Sequence, residues 1–101
     1  MALKACCQLR QKKEKMALVA EFLSIVAEPN RLNILRLLRR QELSVSDIWQ
    51  FLDLPQSLIS HHLRIMRDFG LLSATKHGKQ VLYTLNASKL KDCKALMAKF
   101  I

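Results

Sequence analysis

The chain has 101 residues, 50% of them hydrophobic, and its 17 Lys plus Arg against 8 Asp plus Glu give a formal charge of +9. That length suits one domain with a modest core, and so large an apolar share excludes a disordered tail. No run approaches the roughly 18 unbroken apolar residues of a membrane-spanning helix. So large a positive excess in a small domain points to a polyanion, usually nucleic acid, rather than a membrane surface, since the basic residues are spread over several elements instead of one amphipathic helix.

The opening MALKACCQLRQKKEKM lacks the apolar run of a secretory signal. This points to the cytoplasm, where the three cysteines would remain thiols. A single domain is expected over 1–101, with residues 1–12 as a flexible extension. Two glycines and two prolines leave the chain mostly helical. The first helix is predicted from residue 9 to about 27. Met16, Val19, Ala20, Leu23 and Val26 fall at helical spacing, and Leu18, Phe22 and Ile25 make a second apolar stripe. A helix apolar on two sides needs two surfaces to bury against, which suggests a homodimer.

Glu28-Pro29 ends that helix, and Pro29 suits the first turn of the next. There NRLNILRLLRR is expected to pack through Leu32, Leu35 and Leu38. A shorter third helix starts in ELSVSDIWQFL, where Ser44 and Asp47 have the spacing of a capping box. DLPQ is a tight turn with Pro55 near the start of a fourth helix, which stops at Gly70 in a left-handed cap. LLSATK and QVLYTL flank HGK and read as a β-hairpin, with Lys76, His77 and Lys79 at its tip. A last helix covers about 87–100 with Leu90, Cys93, Met97 and Phe100 on one face.

The fourth helix carries SLISHHLRIMR. Wound at 3.6 residues per turn, it puts Leu58, Ile59, His62, Leu63, Ile65 and Met66 on one side. Ser57, Ser60, His61, Arg64 and Arg67 fall on the other. Short hydrogen-bonding side chains beside arginine are what reading base edges requires, and arginine is the commonest specific reader of guanine, although a solvated helix surface has the same composition. His62, among aliphatic neighbours, is expected to pack inward. Arg31, Arg36, Arg39 and Arg40 are read as general phosphate attraction or solvated surface.

Three helices including a recognition-like one, a basic-tipped hairpin and a closing helix make a mainly α winged helix-turn-helix. EPNRLNILRLL, ELSVSDI, SHHLRIMRDFGLL and KHGKQVLYTL, in this order over about residues 20–86, resemble the ArsR/SmtB family of small dimeric bacterial and archaeal repressors. The resemblance implies a homodimer through the first and last helices, fourth helices in successive major grooves of a double-stranded DNA operator, and hairpins as wings. It also implies release from DNA when an inducer binds. It carries the recognition segment onto Gln56, Ser57, Ser60, His61 and His62, and the wing onto Lys76, Gly78, Lys79 and Gln80. For His62 this conflicts with the inward position that the helical period assigns to it.

The family's cysteine motif in the third helix falls on Ser44 and Ser46, whose hydroxyls are poor ligands for soft metals. The family's other zinc site, between last helices, needs histidine, and none follows His77. Cys6, Cys7 and Cys93 remain. Brought together across a dimer, they would suit a thiophilic ion such as trivalent arsenic, and the ordinary alternative is a packed Cys93 and a frayed end. No phosphate loop, paired carboxylate site or His-based metal motif suggests an enzyme. The alternatives are a winged-helix regulator without an inducer, or a protein-binding adaptor with no metal site.

Overall fold

The computed structural model describes the backbone of residues 2–101 and the side chains of residues 8–101. In chain order it contains α1 (Ala2–Val26), α2 (Pro29–Leu38), α3 (Val45–Phe51), α4 (Gln56–Phe69), β1 (Leu72–His77), β2 (Gln80–Leu85) and α5 (Ala87–Phe100). α1 begins at Ala2, not near residue 9, so residues 2–12 of the stretch expected as a flexible extension have helical backbone. Residues 2–16 contain no Gly, Pro or β-branched residue that would stop a helix.

One apolar core joins every helix. It takes Phe22 and Ile25 from α1, Ile34, Leu35 and Leu38 from α2, Ile48 from α3, and Ile59, Leu63 and Met66 from α4, closed by Leu71, Leu72 and Cys93. The core sides of α1 and α2 differ from the predicted ones. α1 buries Val19, Phe22 and Ile25, which mixes residues of both predicted stripes, while Met16 and Ala20 stay exposed. In α2, Ile34 takes the place expected for Leu32, which is exposed. At 100° per residue Leu32 lies about 110° from the centre of the Ile34–Leu35–Leu38 arc.

The helix ends follow local chemistry. The Glu28 carboxylate accepts from Arg31 N–H (3.0 Å) at the start of α2, with Pro29 in the first turn. Ser44 and Asp47 form the reciprocal capping box of α3, at 3.0 and 3.2 Å. Gly70 ends α4 at φ 99°, as only a residue without a Cβ does readily.

β1 and β2 pair antiparallel from Leu72↔Leu85 to His77↔Gln80. Gly78, first of the two loop residues, takes φ 62°, the positive value that primed hairpin turns need. The sequence did not announce one further rung: Leu43 and Tyr83 exchange backbone hydrogen bonds of 3.1 and 2.8 Å, tying the hairpin to the residue before the α3 cap. Asn86 links the other end. Its Oδ1 accepts from Lys89 N–H to cap α5, and its Nδ2 donates to Gly70 O (3.1 Å).

Candidate nucleic-acid interface

α4 divides along its length. Ile59, His62, Leu63 and Met66, at i, i+3, i+4 and i+7, are buried. Gln56, Ser57, Ser60, His61, Arg64 and Arg67 are exposed as one polar face. The start of this helix has no side-chain cap. Pro55 is the N-cap, and its carbonyl accepts from Leu58 and Ile59, so the amides of Gln56 and Ser57 stand without an intrahelical partner. An uncapped helix end with free amides favours an anion such as a phosphate. Lys76, His77, Gly78, Lys79 and Gln80 are all exposed at the hairpin tip.

His62 is the exception among the residues carried over to the recognition segment. It is 5% exposed and cannot present its ring to a groove from this position. Its Nδ1 accepts from Arg31 Nε (3.1 Å), while Nε2 lies 3.8 Å from Glu28 Oε2 and has no hydrogen-bond partner. Arg31 Nη1 also donates to Ile25 O (3.4 Å). Three helices are thus joined at one point: the end of α1 through Ile25, the start of α2 through Glu28 and Arg31, and α4 through His62. Arg31, expected as phosphate attraction or solvated surface, is a half-buried structural residue here. The available signal was His62 itself, since an imidazole on an apolar face needs a partner.

Ser44 is buried and committed to the capping box, and Ser46 is exposed. Cys93 is buried on α5, and loss of water around it pushes its thiol pKa up, which keeps it protonated. The side chains of Cys6 and Cys7 lie outside the described residues. Among the described residues, no three His, Cys, Asp or Glu side chains are grouped to hold a metal ion. No helix there is long and apolar enough to cross a membrane.

An uncapped polar helix on a helix-turn-helix, followed by a basic two-stranded wing, defines a winged helix-turn-helix protein. Residues 28–74 match the family model described as bacterial regulatory protein, arsR family. The chain is 35% identical over 83 residues to the transcriptional activator HlyU of Vibrio cholerae, covering 82% of this chain and 77% of that protein. It is 40% identical over 67 residues to a transcriptional repressor SmtB homolog of Synechocystis, covering 66% of this chain and 51% of the relative. The chain therefore spans about half the length of that repressor. The solved structure of reduced HlyU from Vibrio cholerae superimposes with a TM-score of 0.74 at 32% identity, covering 90% of this chain and 96% of that one. This chain belongs to the ArsR/SmtB family of transcriptional regulators.

Proposed function

We propose that the protein is a cytoplasmic, sequence-specific DNA-binding repressor. It acts as a homodimer through α1 and α5, with α4 of each protomer in the major groove and each hairpin along the backbone. The observation that carries this reading is the exposed row Gln56, Ser57, Ser60, His61 and Arg64 beside the uncapped start of α4. Gln56 and Ser57 and their free amides suit a phosphate, and His61 and Arg64 suit base edges. Lys76, Lys79 and Gln80 suit the flanking backbone. The name of the Synechocystis relative supports repression as the outcome. An adaptor would instead need apolar anchors on the exposed face of α4, where Leu58 alone is exposed and apolar.

The test is titration onto duplex DNA from the gene's own promoter and onto unrelated duplex over a range of salt. If a dimer neutralises about eight phosphates, log affinity falls with log salt at a slope near −7, and the promoter DNA binds more tightly. Equal affinity for both duplexes would remove the sequence-specific reading. Release by a thiophilic metalloid or an oxidant through Cys6, Cys7 and Cys93 is the finer part of this proposal. It requires Cys93 to leave its buried place on α5, so trivalent arsenic should release the wild-type protein from DNA and fail with Cys93→Ser. Equal release of both would take Cys93 out of the sensor.

A further inference from the structure

The outer side of the α2–α3 pair carries two aromatic rings outside the core, beside Leu37 and Leu52, which pack against it. Trp49 is 50% exposed and Phe51 59% exposed. Ile48 is the buried anchor of α3, so its packing does not call on these rings. Among the described residues, neither ring stacks on another aromatic ring or lies beneath a cation. Phe51 and Leu52 form one wall of a groove whose other wall is Asn33, Arg36, Leu37 and Arg40. Trp49 and Asp53 continue the same surface beyond Phe51. Among the described residues, none of α1, α4, α5 or the hairpin lines it. Arg36 and Arg40 have no acidic partner, since the one ion pair among the described residues joins His62 to Glu28.

We propose that this groove docks an acidic amphipathic segment of another protein. Its carboxylates meet Arg36 and Arg40, and its apolar side chains cover Leu37, Phe51 and Leu52. Two guanidinium groups without counter-charges select carboxylates, and an exposed aromatic floor needs an apolar anchor. From Asn33 to Leu38 the helical part of the wall is about 7.5 Å long at 1.5 Å per residue, with Arg40 in the turn just beyond. That length suits a short helix laid in a groove. A single nucleic-acid strand could stack on Trp49 and Phe51. Leu37 and Leu52, however, offer it no stacking face.

Trp49 is the sole tryptophan and borders the groove beyond Phe51. Its emission therefore reads a segment laid along the groove and across that border, in the full chain without DNA. The probe is a synthetic peptide of about 14 residues with Leu and Phe at i, i+3, i+4 and i+7 and Asp or Glu elsewhere. A scrambled peptide of the same composition and a single-stranded oligothymidine serve as comparisons, all at roughly 0.15 M salt. The amphipathic peptide should shift Trp49 emission to the blue with saturation in the micromolar range. Phe51→Ser and the double variant Arg36→Glu/Arg40→Glu should each weaken binding at least about tenfold with the melting temperature kept. Four results would overturn the proposal. They are no shift up to millimolar peptide, equal binding of the scrambled peptide, undiminished affinity in Phe51→Ser, or tighter binding of the oligothymidine, which would make this a nucleic-acid surface.

Discussion

His62 accepts from Arg31 at Nδ1, so its one proton sits on Nε2, aimed at Glu28 across 3.8 Å, beyond hydrogen-bond reach. Protonating the ring would remove the lone pair that holds Arg31. Burial away from water lowers the His62 pKa from its ordinary 6.5, with Glu28 opposing the fall and Arg31 and His61 adding to it. The unfolded chain therefore takes up this proton at a higher pH than the folded one. Stability contributed by neutral His62 is complete above pH 6.5 and is lost as pH falls below it towards the folded pKa. Melting temperatures measured from pH 7.5 down to about 5 should drop for wild type and drop less steeply for His62→Gln. Equal slopes would show that His62 is not the titrating group. At neutral pH, His62→Ala should cost about 1–3 kcal/mol through a cavity and an unpartnered Arg31. His61→Ala should melt like wild type, because its ring is exposed and outside the core, and should bind promoter DNA more weakly if the proposed interface holds. A stable His62→Ala that fails to bind would instead place this histidine at the DNA. The inward turn of His62 was legible from its period. Its partners were not, because Arg31 is 31 residues away in sequence and nothing local to either residue records their meeting.

At the scale of elements, the ends were more legible than the faces. Caps depend on side chains within three or four residues, so Ser44–Asp47, Pro29 and Gly70 could be found from spacing. Ser44→Ala removes one half of the α3 box and should destabilise the protein by about 1 kcal/mol in a urea titration. An unchanged midpoint would mean that the packing of Ile48 alone orders α3. Ser44 also connects this box to the hairpin, since its neighbour Leu43 bonds to Tyr83. The wing is thereby held against the helix-turn-helix by backbone bonds, leaving its lysines free for an outside partner. Lys76→Ala or Lys79→Ala should weaken binding to all duplexes alike. Each should also flatten the salt slope by about one unit for every phosphate that the dimer no longer neutralises. No effect on either quantity would remove the hairpin from the interface.

Across the whole molecule, α1 is the element least satisfied by its own chain. The protein extends 56 Å along its longest axis, and residues 8–17 of α1 are exposed throughout. Leu9 and Met16 lie seven residues apart on one exposed side, while Val19, Phe22 and Ile25 face the core. Leu9 and Met16, left exposed on that side, would gain by burial against a partner surface. A second copy of the same helix is the occupant that the proposed dimer supplies. Sedimentation at micromolar concentration should give twice the chain mass of 11.6 kDa. Met16→Asp should shift that equilibrium to monomer, keep the core intact and weaken promoter binding. A wild-type monomer at that concentration would remove the two-groove arrangement.

Residue type and spacing were enough for the order of elements, the Ser44–Asp47 and Gly70 caps, the polar face of α4 and the basic tip of the hairpin. Each of these depends on interactions within a turn or two of chain. Packing between elements set which side of α1 and α2 is buried, for both helices carry more apolar residues than one face can hold. It alone set Ile34 in place of Leu32 in the core, joined Leu43 to Tyr83 and drew Arg31 out of solvent to His62. It also left Trp49 and Phe51 outside, although their hydrophobicity equals that of residues within. Apolar character states only that a side chain gains by leaving water, and the packing of the other elements determines which ones can.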